Sequence, residues 1–215
     1  MTVLSVKTGA DSDILKIGLS DGSLFFIRLS YLPAVLASKI ASWISLSANI
    51  PIEISEEEYQ ALESSAECLR AERKALQLIG RAEQSHQGLM LKLEQRGHSE
   101  PVVRRVLDRL TDLDLINDRR FAEAWIHTQL GISSTKSNMQ LVSGLVKRGL
   151  DARTASSVVN ELYPANCEAT AIPRYIKKKR LDLGSMDRFE IMQTLRKAGF
   201  SQQAIRQYLE KDIYK

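Results

Sequence analysis

Cysteine is scarce in these 215 residues: Cys68 and Cys167 stand far apart and outside any CxxC. That spacing favours buried or surface thiols over a disulfide or a zinc site. Histidine is nearly as rare, and His86, His98 and His127 lack ligand spacing, which leaves them surface or capping roles rather than metal binding. No apolar run approaches the roughly 20 residues that span a bilayer. Met1 to Ala10 has neither the basic start nor the apolar stretch of a signal peptide, so a cytoplasmic protein without a membrane partner is expected. There is no phosphate-cradling GxxxxGK(S/T), no GxGxxG after a strand, no HExxH and no GxSxG. The carboxylates fall at helix starts or among arginines and suggest no tuned acid–base pair. No catalytic residue, cofactor or metal is assigned, and the chain is read as a non-enzyme long enough to bury a substantial core.

What the sequence does contain is a repeat. From Ser137 to Leu162 it reads as helix, glycine turn, helix: Leu141 and Leu145 share one face before Gly149, and Ala155, Val159 and Leu162 share one face after it. Gly149 sits where a left-handed residue closes the first helix, and Asp151 is placed to cap the second. The same offsets recur upstream at Leu89, Leu93, Gly97, Ser99, Val103, Leu107 and Leu110. They recur downstream at Ile191, Leu195, Gly199, Ser201, Ile205 and Leu209. Twelve residues before each glycine lies a good N-cap, Ser85, Ser137 or Asp187, and Gln140 and Glu190 complete capping boxes for the last two. Gly149 therefore resists a side chain, at about 1–2 kcal/mol for a left-handed residue with Cβ. Gly144, inside a helix, invites alanine, worth about 0.8–1.0 kcal/mol unless packing is too close.

Each repeat has room for three helices, predicted at 66–81, 85–96 and 99–114; 118–131, 137–148 and 151–162; 165–181, 187–198 and 201–213. Short helices bury one face each and need stacked neighbours to complete a core. The fold class expected is mainly α: three tandem three-helix repeats, residues 66–116, 117–163 and 164–215, forming an elongated curved arc. Before them, residues 1–65 read as a small head. Ile14 to Leu19 and Leu24 to Leu29 form a hairpin around Asp21-Gly22, and a helix carrying Leu36, Ile40, Trp43 and Ile44 covers it. Asn49 to Ile54 looks extended, and Ser55 with Glu58 opens a helix bearing Tyr59, Leu62, Ala66 and Leu69. Residues 48–66 are the expected hinge. Glu56 to Glu58 suit the first turn of that helix electrostatically and are read as structural.

Charge divides along the same line. Residues 1–66 hold four basic and eight acidic side chains, and residues 67–215 hold 26 and 18. The basic region favours a polyanionic partner, nucleic acid or an acidic protein surface. Cations gather beside the turns: Arg96, Lys147 with Arg148, and Arg196 with Lys197. At helix C-termini each offsets the dipole by about 0.3–1 kcal/mol, which is a sufficient structural role. The run Lys177, Lys178, Lys179 and Arg180 exceeds what capping requires and is assigned to binding. Arg104, Arg105 and Arg109, with Arg119 and Arg120, extend one basic face suited to phosphates or carboxylates.

These residues resemble the RecX regulators of the bacterial recombinase RecA. The most specific segments are Ile116-Asn-Asp-Arg-Arg-Phe-Ala122, similar to the family's Asp-x-x-Phe-Ala entry to its second repeat, and Leu145-Val-Lys-Arg-Gly149, similar to its Leu-x-x-(Lys/Arg)-Gly turn. Ala75 to Ile79 and Leu195 to Ser201 resemble the first helix and the final turn. Where the family has Arg-Ser-x-x-Glu-Leu, this chain has Gln84-Ser-His-Gln-Gly-Leu89. The resemblance implies three tandem three-helix repeats that lodge in the groove of a RecA filament on single-stranded DNA and interfere with ATP hydrolysis, strand exchange and co-protease function; the mainly helical chain is expected to be a monomer. Single- or double-stranded DNA is a further partner. The alternative reading is a helix-turn-helix-like nucleic-acid-binding module, for which Ser201 to Arg206 comes nearest to a recognition helix.

Overall fold

The computed structural model describes residues 1–9, 11–45, 51–131 and 134–212. They are mainly helical, with one small antiparallel sheet, and fall into two compact units: Met1–Ala82 with Leu89–Ile116, and Glu83–Gly88 with Asn117 onward. No helix among the described residues is long and apolar enough to cross a membrane.

In the first unit, β1 (Thr2–Thr8), β2 (Ile14–Leu19), β3 (Leu24–Arg28) and β4 (Ile52–Glu53) make a sheet of order β3-β2-β1-β4. The expected hairpin is β2-β3, turning through Gly22 at φ +85°. One strand goes beyond the sequence expectation: Met1 to Ala10 carries no hairpin signal, yet β1 pairs with β2 and also takes β4, which falls in the segment expected to be extended. Of the extended segment expected from Asn49, the first two residues lie outside the described ones. The pairing is fixed by burial, because strand alternation turns Val3, Leu15, Ile17, Leu19 and Ile27 to one face, all 3% exposed or less. Helix α1 (Ala34–Ser45) covers that face with Leu36 and Ile40.

Helix α2 (Glu56–Ile79) starts from the Ser55–Glu58 capping box and runs 24 residues without a break. The boundary expected at residues 65 and 66 thus falls within a continuous helix, and residues 48–50 of the expected hinge lie outside the described ones. The reason is that one helix serves two cores. Leu62 and Ala66 pack against the sheet, whereas Cys68, Ala71 and Ala75 pack with Leu89 and Leu93 of α3 (His86–Glu94) and Val103, Leu107 and Leu110 of α4 (Glu100–Asp112). Between the cores lies a buried ion cluster in which Arg28 meets Glu72 through Nε at 3.1 Å and Nη2 at 3.0 Å. Its Nη1 reaches Asp11 and Asp13 at 3.0 Å each.

The second unit contains α5 (Asp118–Gln129), α6 (Asn138–Val146), α7 (Ala152–Leu162), α8 (Ala165–Lys179), α9 (Arg188–Lys197) and α10 (Gln202–Asp212). The capping boxes at Ser137 and Asp187 are both formed, and Asp151 accepts from the Thr154 N–H at 2.9 Å. Gly97, Gly149 and Gly199 have φ of +86°, +92° and +88°, so each turn uses the left-handed conformation expected of it. Leu141, Leu145, Ala155, Val159, Leu195 and Ile205 are buried, whereas Leu162 and Ile191 are only partly so.

Two junctions in this unit are built alike. The Ser85 hydroxyl donates to the Arg148 carbonyl at 2.7 Å, and the Ser137 hydroxyl to the Ala198 carbonyl at 3.0 Å; each acceptor immediately precedes a turn glycine. The next N–H in each case meets a carboxylate: His86 donates to Asp118 and Asn138 to Glu168, both at 2.7 Å. Glu168 is fully buried and also accepts from the N–H of Ser201 at 3.2 Å and from its hydroxyl. One carboxylate thereby serves the N-termini of α6 and α10, where both dipoles favour negative charge. Burial, then the charge of Glu168, pushes the nearby Tyr163 hydroxyl up to about 12.

Candidate partner-binding site

Three helices of the second unit end beside one another, and their last residues carry lysine. Lys147 is the C-cap of α6, Lys179 ends α8 and Lys197 ends α9. Together they line a groove of about 530 Å³ whose remaining lining includes Met139, Tyr175, Gly144 and Gly199 and no carboxylate. The floor is shaped by packing: Tyr175 meets Phe200 edge-on with ring centroids 5.3 Å apart.

Dipole compensation accounts for part of this charge. A helix C-terminus carries about half a negative charge, so three C-termini offset only about half of three ammonium groups. The lysines form no ion pair among the described residues, and all three are exposed. The surplus positive charge is therefore open to an anionic group from outside.

The other cations are sorted differently. Arg148, next to Lys147, lays its guanidinium 4.7 Å from the Trp125 ring centroid and donates to the Gly144 carbonyl at 2.8 Å. Lys136 sits over the same ring at 5.6 Å. Arg148, though exposed, is thus also engaged with the fold. Arg119 pairs with Glu123 at 3.0 Å and Glu161 at 2.7 Å, and Arg120 with Glu83 at 2.6 Å. Arg105 donates to the Tyr31 carbonyl and to Ser64, while Arg104 pairs with Glu100 one turn before it. Arg109 stands over the Tyr31 ring at 5.9 Å, 3.8 Å from both Asp13 and Glu72. Arg96 is exposed and folds back onto the Lys92 carbonyl. Lys177, Lys178 and Arg196 are exposed on last turns, and Arg180 is the left-handed cap of α8 at φ +52°.

The structure accordingly brings Lys147, Lys179 and Lys197 into one groove and engages Arg104, Arg105, Arg119 and Arg120 within the molecule. Trp125, Lys136 and Tyr175 are the additions that sequence reading missed. Trp125 and Gly144 are 19 positions apart, and no periodic signal joins them. A second cleft, about 590 Å³, gathers amides instead: Asn138, Asn160, Asn166, Gln203 and Gln207, with the Asn138 amide donating to Asn160 at 2.9 Å.

Residues 71–110 match the model of the RecX first three-helix domain. Among characterised sequences, the regulatory protein RecX of Treponema pallidum (strain Nichols) is 33% identical over 125 residues, covering 58% of this chain and 76% of that protein. That of Mycobacterium sp. (strain KMS) is 36% identical over 88 residues, 41% of this chain and 47% of the relative. A crystal structure of a regulatory protein RecX superposes with a TM-score of 0.69 at 16% identity, over 97% of this chain and 98% of that one, a likeness of fold. With a third of the aligned residues shared across three quarters of the Treponema protein, and with that fold, this chain belongs to the RecX family of regulatory proteins.

Proposed function

We propose that this chain is a non-enzymatic, monomeric regulator that binds RecA filaments on single-stranded DNA and inhibits their recombinase, ATPase and co-protease activities. Family membership supports the regulatory role. The observation that carries the contact is the groove where Lys147, Lys179 and Lys197 converge without acidic partners. In this reading the basic helix ends, with Lys177, Lys178, Arg180 and Arg196 beside them in sequence, meet acidic groups or phosphates of a repeating filament, and Arg96 is a further cation of the same kind at a helix end of the first unit. Repeats at 66–116, 117–163 and 164–215 would let several weak contacts act together.

The test is ATP turnover by RecA on saturating single-stranded DNA, titrated with wild type and with Lys147→Glu/Lys179→Glu/Lys197→Glu. The wild type should inhibit near stoichiometry. The triple reversal should lose tenfold or more in potency, since each charge-assisted contact is worth about 1.5–3 kcal/mol; it should still unfold cooperatively in urea, at a midpoint lowered by the lost dipole pairing of about 0.3–1 kcal/mol per site. Unchanged turnover with wild type, or inhibition only through depletion of free DNA, ends this reading. The amide-lined cleft favours the second one, a nucleic-acid-binding module, because Asn and Gln pair with base edges. Sequence-dependent binding of naked duplex that Gln203→Ala and Gln207→Ala abolish would establish it.

A further inference from the structure

The head is acidic in composition, yet four of its eight acidic side chains are engaged by partners within it. Asp11 and Asp13 hold Arg28, Glu58 holds Lys39, and Asp21 binds the Ser23 N–H and hydroxyl in the hairpin turn. Strand register then places Lys7 opposite Lys16, and Lys16 opposite Phe26, in one row across three strands. Their alternate neighbours Leu15, Ile17 and Ile27 face the core, so this row faces outward. Phe26 is 45% exposed and Leu24, in the adjacent row, 50%.

Two clefts flank Phe26. One, of about 460 Å³, is lined by Lys7, Lys16 and Arg73 beside Ile14; the other, of about 230 Å³, has Leu24, Arg70 and Arg73. Arg70 is paired with Glu67, and the one carboxylate of the larger cleft, Asp11, is bonded to Arg28. Lys7, Lys16 and Arg73 form no ion pair among the described residues. Lys16 sits 5.7 Å from the Phe26 ring centroid.

Two like charges directly opposed on a sheet destabilise it, and Phe26 leaves nearly half of its surface uncovered beside them. Both features are accounted for by a ligand that brings anions together with flat apolar rings. We propose that this outer face is a platform for single-stranded nucleic acid, with a base stacked on Phe26 and phosphates held by Lys7, Lys16 and Arg73. The row spans about 10 Å at the ~4.8 Å strand spacing, room for two to three nucleotides at ~3.4 Å each. A duplex keeps its bases paired and has none to stack. An acidic peptide would use the cations and leave Phe26 idle.

The assay is fluorescence anisotropy of a labelled 12-residue oligothymidylate with the full chain at several salt concentrations. It contains no RecA, so its outcome is separate from that of the filament reading. Phe26→Ala should weaken binding at least about fivefold with the salt slope retained, and Phe26→Tyr should restore it. Lys7→Gln/Lys16→Gln/Arg73→Gln should lower the slope of log K against log salt by about 2, at roughly 0.7 per phosphate contact. Amide shifts in β1 to β3 during titration should mark the site, and the Lys147/Lys179/Lys197 reversal should leave the Phe26-dependent loss unchanged. Each variant's urea midpoint establishes that it folds. Wild-type affinity for Phe26→Ala overturns the proposal, as does equal, Phe26-independent binding of polyglutamate, which would mark an acidic protein surface as the partner. A duplex bound as tightly, and as dependent on Phe26, overturns it too.

Discussion

Gly144→Ala reverses sign between sequence and structure. By helix propensity alone the substitution should stabilise α6 by about 0.8–1.0 kcal/mol. In the fold, a Cβ at this position would lie 2.4 Å from Cη2 of Trp125, 3.0 Å from Cζ2 and 3.4 Å from Cζ3. The indole would have to retreat by about 1 Å to restore ordinary contact. Arg148 at 4.7 Å and Lys136 at 5.6 Å hold it where it is. Overpacking costs about 1–3 kcal/mol and disturbing the cation–π stack about 0.5–1, so after the propensity gain the net loss is about 0.5–3 kcal/mol. Urea unfolding followed by far-ultraviolet circular dichroism measures it without relying on tryptophan. In a Trp125→Leu background the obstacle is gone, and Gly144→Ala should become neutral or stabilising by up to about 1 kcal/mol. The same sign in both backgrounds would refute the contact.

Three further outcomes follow from the geometry. Glu168→Gln keeps one acceptor oxygen but sets an NH2 donor against the N–H groups of the other helix start, and should lose about 1.5–3 kcal/mol, one charge-assisted hydrogen bond, in urea unfolding; a loss under about 0.5 kcal/mol would mean that the double cap is not formed. Gly149→Ala should cost more than Gly97→Ala: both incur the left-handed penalty of about 1–2 kcal/mol, but a Cβ at Gly149 falls 2.2 Å from Cβ of Gln87, whereas nothing lies within 4 Å at Gly97. Equal midpoint shifts for the two would contradict the junction. The Lys39 hydrogen bond, aided by the Ser55 N–H, lowers the Glu58 carboxyl below its ordinary value. Its stabilisation is therefore present above the unfolded pKa of about 4.3 and is lost as pH falls through the lower folded value; Glu58→Gln should flatten that acid limb of the stability–pH curve.

The turns, caps and apolar stripes were legible in the sequence because each depends on residues within four positions of one another. A left-handed close at Gly97, Gly149 or Gly199 needs only a missing Cβ, and the boxes at Ser55, Ser137 and Asp187 need only a partner three residues on. Nothing local revealed β1 as a strand, since its pairing with β2 and β4 is settled by which face the sheet buries, and β4 comes from some fifty residues away. The unbroken course of α2 was equally hidden, because its cap looks the same whether the helix serves one core or two. Charge sorting was the least legible: a lysine or arginine has the same local preferences whether it is paired, stacked or free. Only the tertiary structure set Arg120 against Glu83 and Arg148 against Trp125, leaving Lys147, Lys179 and Lys197 to meet in one groove, because those partners lie far away in the chain and are selected by packing.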